Sequence, residues 1–306
     1  MLQQLISLFM SFIAFFMSLF GFGGGGKTPE DPTPVPGPEV VYLSETTLSY
    51  GADQDQTLDL FLPAGKTGAV GLVLFVHGGA WVTGTKETYL PEAMRYQALG
   101  YVTASINYRY LGNGVLPADE LDDITAALRA IKAACAEKGV SVSRTVMVGS
   151  SSGAHLALLY AYTRQQEAPV KPVAVVSSSA PTDFTDPAFI RSGAGELLAG
   201  SIGVSTDTLA ALMQSGVAEM FVPTLKALSP AKQVTRDSVP TLMAHGKKDT
   251  IVPYSNAERL DAALTEKGVV HDFVTFPNSG HALLNDPDCT LRFQALTAQY
   301  IATYLG

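Results

Sequence analysis

The chain has 306 residues, with 28 acidic against 20 basic side chains and a formal charge of -8 at neutral pH; with no Lys/Arg cluster, nucleic acid is excluded as an expected partner. Two cysteines are too few for a disulfide framework, so two free thiols are expected, and no Cys/His group has metal-ligand spacing. The chain beyond residue 40 is long enough for one domain with a large core.

In chain order, Leu5 to Phe22 is an uncharged apolar run of the length that crosses a bilayer, followed by Gly23 to Gly26 and the Pro-rich stretch Thr28 to Pro38. No Lys or Arg precedes the run, no Ala-x-Ala-like cleavage site follows it, and no cysteine lies nearby to carry a lipid. Two outcomes stay open: an uncleaved anchor on a semi-rigid stalk, in contact with the membrane, or a signal peptide removed near the glycines. Both imply export. Residues 1–22 are thus read as signal peptide or anchor, 23–39 as linker, and 40–306 as the folded domain.

Val40 to Tyr50 and Thr57 to Leu62 alternate as a β hairpin. Beyond them short apolar strands alternate with helical patterns, the signature of a mostly parallel α/β sheet covered on both faces. The strand Val70 to Val76 runs into His77-Gly78-Gly79-Ala80-Trp81. Glycines there let the backbone turn its amides into a cavity, so Gly78 and Gly79 are read as donors to a developing oxyanion, with Ala80 able to replace Gly78. A plain glycine turn is the bland alternative. Trp81, the only tryptophan, is expected to wall the adjoining substrate pocket; the alternative is a core plug beneath the loop. After the strand Tyr101 to Ile106 come Asn107-Tyr108-Arg109. Leu121, Ile124, Leu128, Ile131 and Cys135 then recur at spacings of three and four, a helix with one buried stripe.

Val146-Met147-Val148 leads into Gly149-Ser150-Ser151-Ser152-Gly153 and an Ala/Leu-rich helix. A serine at the apex of a sharp strand-to-helix turn needs neighbours without side chains two residues away, which selects Ser151 from the three adjacent serines. Ser152 contributes its backbone N–H as the third oxyanion donor. A serine hydroxyl is a weak nucleophile unless a base takes its proton and a third group holds that base in one tautomer. Of the five histidines, His77 belongs to the oxyanion loop and His155, one turn into the helix, reads as a satisfied structural histidine. His245 ends a strand and His271 begins another. His281, on the loop Pro277 to Ala282 before the last helix, is the base. Asp249, on the loop leaving the strand Pro240 to Ala244, is the acid. Asp183, in Pro181-Thr182-Asp183 one strand earlier, is its rival. The intervening segment, 181–228, exceeds a normal crossover and includes Met213, Met220, Phe221 and Leu225; it reads as a cap over the pocket, the alternative being a surface excursion with no role. Cys289 falls on the terminal helix.

Ser151, Asp249 and His281 stand in the order of the α/β-hydrolases. With the His77-Gly78-Gly79 loop, Asn107-Tyr108-Arg109, and Ser229-Pro230 before the acid strand, the chain resembles their small carboxylesterase branch over about residues 40 to 306. The likeness is to hormone-sensitive-lipase-like and feruloyl/acetyl-xylan esterase-like members. Ala80 and Ala154 depart from it where many members carry glycine. The resemblance implies a mostly parallel, eight-stranded sheet with a small cap and no cofactor. It also implies hydrolysis of short-chain or aryl (acetyl or feruloyl type) carboxylic esters through an acyl-enzyme, the substrate being a small molecule or polysaccharide-linked. Amide hydrolysis, as in peptidases or aryl formamidases, is the alternative. A binding module that has lost its triad is disfavoured, since nucleophile, base, acid and oxyanion loop are all present.

Overall fold

The structure, a computed structural model, describes residues 45–112, 114–195 and 218–306, within the compact unit Leu43–Gly306. The apolar run Leu5 to Phe22, the linker and Met213 lie outside the described residues, as do the side chains of Met220 and Phe221. Among the described residues no helix is long and apolar enough to cross a membrane.

The hairpin β1 (Glu45–Ser49) and β2 (Thr57–Phe61) starts the main sheet, and a small accessory ladder pairs β3 (Gly68–Ala69) with β6 (Val140–Ser141). The main sheet continues with β4 (Leu72–Val76), β5 (Val102–Ile106), β7 (Arg144–Ser150), β8 (Lys171–Ser178), β9 (Thr241–Gly246) and β10 (His271–Phe276). It has eight strands in the order β1-β2-β5-β4-β7-β8-β9-β10. Only the β1/β2 and β2/β5 pairings are antiparallel. Both faces are apolar because the central strands are apolar throughout: Leu72, Leu74 and Val76 point into one core cluster, Val73 and Phe75 into the other.

Helices fill these faces. On one side lie α1 (Leu90–Ala98) and the terminal helix α8 (Pro287–Leu305), burying Ala93, Tyr96, Tyr300, Ile301 and Leu305. On the other lie α2 (Pro117–Glu137), α3 (Ser152–Thr163) and α7 (Tyr254–Lys267). The stripe Leu121, Ile124, Leu128, Ile131 and Cys135 is buried on α2 as its spacing predicts. Nearly every residue of α3 is buried, in keeping with a helix that is apolar all round and packs at the centre of the domain. Three short helices, α4 (Pro187–Ile190), α5 (Ala218–Ala227) and α6 (Pro230–Gln233), belong to the insertion between β8 and β9. Cys135 and Cys289 are free thiols that pack with the two opposite core clusters, too far apart in the fold to bridge. Burial pushes the Cys135 thiol up to about 11, which keeps it unreactive.

Candidate active site

The site forms past the carboxyl ends of β4, β7, β9 and β10, where helix N-termini and loops open. Ser151 sits between β7 and α3 with φ 53 and ψ -124, a left-handed conformation that a serine adopts only when its surroundings impose it. What imposes it is close packing. A Cβ on Gly149 would lie 2.6 Å from the Gly153 carbonyl, and one on Gly153 would lie 2.1 Å from the Val76 oxygen. These two glycines therefore let α3 start directly on the end of β4, and the Ser151 N–H donates to Ser178 O at 2.8 Å. Ser152 is the first residue of α3, so its N–H has no intrahelical acceptor and points from the positive end of the helix.

His281 Nε2 lies 2.9 Å from Ser151 Oγ, and its Nδ1 lies 2.7 Å from Asp249 Oδ2. Asp249 Oδ1 accepts the N–H groups of Ile251 and Val252, each at 2.9 Å. Burial alone would raise the Asp249 pKa. Hydrogen bonds from His245 and His281 outweigh it and hold the carboxyl well below the usual carboxylate range. The His281 loop is pinned from both sides. Ser179 Oγ donates to His281 O at 2.8 Å, while Asp286 accepts the Asn278 N–H at 3.0 Å, its side-chain amide at 2.9 Å, and Ser279 Oγ at 2.6 Å.

The loop after β4 approaches the serine so closely that a Cβ on Gly78 would lie 2.8 Å from Ser150 O and 3.2 Å from Ser151 Cβ. Gly79 has φ 138, and a Cβ there would meet Thr83 O at 1.8 Å; Ala80 and Trp81 follow with φ 53 and 64. His77 holds the turn: its Nδ1–H donates to Gly78 O at 2.8 Å, and its ring stacks on Tyr108 at 4.5 Å. Tyr108 in turn donates to His77 O at 2.9 Å. Burial lowers the His77 pKa to about 4, so the ring stays neutral. Arg109 clamps Asp123 of α2 through both Nε and Nη2, and Leu111 N–H donates to Trp81 O at 2.8 Å. The Asn107-Tyr108-Arg109 segment thereby ties the loop to the sheet.

Trp81 corrects an expectation. It is 2% exposed, set edge-on to His155 and Phe184, and its Nε1 donates to His155 Nδ1 at 3.1 Å. The indole is a core plug beneath the loop and not a pocket wall, because the left-handed backbone at Ala80 and Trp81 turns the ring inward. His155 is the satisfied structural histidine expected: Nδ1 accepts from Trp81, Nε2 donates to Leu228 O at 2.8 Å, and burial lowers its pKa to about 4.

Asp183 does not meet His281. It is held by Lys232 at 2.9 Å, Arg259 at 3.1 Å and Thr185. His271 pairs with Asp261 away from the serine. Two participants went unassigned in the sequence, His245 against Asp249 and Asp286 beneath the His281 loop. A sequence signal existed for the second, since an Asp directly before Pro287 reads as a helix N-terminus that can bond back to its loop. Among the described residues no group of three or more His, Cys, Asp or Glu is placed to hold a metal.

Comparison with known proteins gives the chain a family and a fold. A family model described as BD-FAE matches residues 58–264. Esterase LipQ of Mycobacterium tuberculosis is 28% identical over 297 residues, covering 89% of this chain and 64% of LipQ. A probable isoprenylcysteine alpha-carbonyl methylesterase of rice, ICMEL1, is 26% identical, covering 79% and 58% respectively. The chain thus spans less than two thirds of the length of these relatives. Among solved structures, a truncated carbohydrate esterase from gut microbiota superposes with a TM-score of 0.61 at 21% identity, covering 85% of this chain and 99% of that one. Esterase 2 of Thermogutta terrifontis gives 0.63 at 20% identity, covering 85% and 92%. At such identities these likenesses speak for the fold.

Proposed function

The chain belongs to the BD-FAE family, and from that premise we propose that it is a serine carboxylic-ester hydrolase working through an acyl-enzyme. The observation that carries this reading is the unbroken relay from Ser151 Oγ through His281 to Asp249, at 2.9 and 2.7 Å. Ser151 Oγ attacks the ester carbonyl carbon while His281 Nε2 takes its proton. Asp249 stabilises the imidazolium that forms. The N–H groups of Gly78, Gly79 and Ser152 take the oxyanion, Ala80 N–H being the alternative to that of Gly78. Collapse breaks the ester C–O bond, and His281 returns its proton to the departing alcohol. Water then repeats the sequence on the acyl-enzyme, gives its proton to His281, and the carboxylic acid leaves with Ser151 restored.

Short-chain or aryl acyl groups, on a small or polysaccharide-linked alcohol, are the proposed substrates. The relatives named esterase and methylesterase support an ester substrate, and the carbohydrate-esterase neighbour is in keeping with a polysaccharide-linked one. The apolar run Leu5 to Phe22 supports work outside the cytoplasm, which fractionation of expressing cells tests. The decisive assay uses p-nitrophenyl esters of graded acyl length, feruloyl esters, acetylated xylan and matched p-nitroanilides. Wild type is expected to turn over esters and, when quenched, to carry the acyl group on Ser151. Ser151→Ala is expected to lose about 10⁶ in kcat, while Ser150→Ala and Ser152→Ala retain most activity, since Ser152 acts through its backbone. Faster turnover of anilides than of esters, or an active Ser151→Ala protein, overturns the reading.

A further inference from the structure

Asp249 serves two histidines. Besides His281 Nδ1 at 2.7 Å, its Oδ2 lies 3.2 Å from Nε2 of His245, the residue four positions earlier at the end of β9. The His245 side chain is 2% exposed and that of Asp249 0%, so neither contact is shared with solvent. His245 Nε2 also lies 2.9 Å from Val252 O, at the far end of the same loop. Both neighbours of Nε2 are acceptors, a carboxylate and a carbonyl. Nε2 therefore carries the proton: its N–H donates to Val252 O, with Asp249 Oδ2 beside it at 3.2 Å. The ring is further fixed by Tyr254, edge-on at 6.0 Å.

We propose that His245 is a positioning residue for the proposed hydrolysis, acting through Asp249 and not on substrate. The inference rests on the catalytic reading of Ser151, His281 and Asp249. Two backbone N–H groups hold Oδ1, which leaves the carboxylate free to swing Oδ2 about that edge. His245 Nε2, hydrogen-bonded to Val252 O and 3.2 Å from Oδ2, ties that oxygen to the far end of the loop. Oδ2 is thus presented to His281 Nδ1 at one angle. Fixing a base through its partner's partner is the usual way a catalytic constellation is kept within tolerance. Charge-assisted hydrogen bonds to a buried carboxylate are among the stronger ones, so losing one has a measurable effect.

The test starts with the wild-type protein, which needs no variant to fold. ¹⁵N-histidine NMR is expected to show His245 protonated at Nε2; a bare Nε2 overturns the proposal, because a lone pair would then face the carboxylate. In variants, His245→Gln keeps an N–H donor near the Nε2 position and is expected to stay within about 3-fold of wild-type kcat, whereas His245→Phe removes it and is expected to lose roughly 10- to 100-fold in kcat with KM unchanged. The low-field proton resonance of the His281–Asp249 hydrogen bond should persist in the first variant and move or broaden in the second. Equal kcat in wild type and His245→Phe, or equal loss in both variants, overturns the assignment. Failure of the underlying reading is separately visible, since Ser151→Ala would then remain active while the tautomer and resonance results stood.

Discussion

Asp183 and Asp249 follow the carboxyl ends of neighbouring strands, β8 and β9, and both side chains are fully buried. In both, burial would raise the pKa, and hydrogen bonds outweigh it and bring it down. Their partners differ. Asp183 meets Lys232 and Arg259, two permanent cations, whereas Asp249 meets two imidazoles and two backbone amides. A carboxylate already balanced by fixed cations gains little from a further positive charge. In the proposed mechanism, one held by imidazoles and backbone amides stabilises the imidazolium at the moment His281 takes a proton. Burial and a depressed pKa are therefore common to a structural anchor and to the proposed catalytic acid; the partners tell them apart.

The largest effect that can break this comparison is on turnover. Asp249→Asn is expected to keep the fold and lower kcat by about 10⁴, because His281 loses the group that sets its tautomer and stabilises its cation. Asp183→Asn is expected to leave kcat within a few-fold of wild type. Steady-state assays of both variants decide it, and the opposite ranking would mean that a cation-clamped carboxylate can serve His281 after all.

A histidine with no carboxylate supplies the next test. His155 is bonded to Trp81 and Leu228 and stays neutral. Trp81→Ala is expected to cost about 3 to 5 kcal/mol of stability, as for a large core side chain, and to lower kcat/KM for acetyl, butyryl and octanoyl esters alike. A changed chain-length profile at an unchanged melting temperature would restore Trp81 to the pocket.

Asp183→Asn should also show its cost in stability. Lys232 and Arg259 are more than a third exposed and rehydrate when the carboxylate is lost, so the loss is about 2 kcal/mol, toward the low end for charged hydrogen bonds. The folded Asp183 pKa is depressed, so this stability is fully present above the ordinary Asp value and is lost as the pH falls through the folded one. Urea unfolding from pH 7 downward should show wild type and variant converging in acid. A gap that is constant with pH would mean that the charge of Asp183 contributes nothing.

What was legible in the sequence was local. The elbow at Ser151 could be read because Gly149 and Gly153 answer contacts within one turn of chain, and the α2 stripe because its period is that of a helix. The order of acid and base followed from strand ends carrying loops. The side to which Trp81 turns was not legible, since it depends on backbone dihedrals at Ala80 and Trp81 and on His155 and Phe184, which come from other elements. Nor was the contact of His245 with Asp249, which exists only once the intervening loop closes onto Val252.

The third buried carboxylate has neither cations nor imidazoles, and it completes the comparison. Glu120, in the first turn of α2, is fully buried and neither of its oxygens has a hydrogen-bond partner. Burial first, then Asp123 and Asp119, raise its pKa to about 10, so at neutral pH it is an uncharged acid. A helix N-terminus favours negative charge by a fraction of a kcal/mol to about 1, which does not offset the desolvation of a buried anion. The folded pKa lies above the unfolded one, so between about pH 4.5 and 10 the native state binds a proton that the unfolded chain has released. Wild-type stability must then fall as pH rises through that window, by at most about 1.4 kcal/mol per pH unit from this group. Glu120→Gln removes the titration while keeping the shape. The variant is expected to match wild type near pH 5 and to become progressively the more stable at pH 7 and pH 9, as measured by urea unfolding. Parallel pH profiles for the two proteins would mean that Glu120 is ionised in the fold, and that a buried carboxylate here needs neither kind of partner.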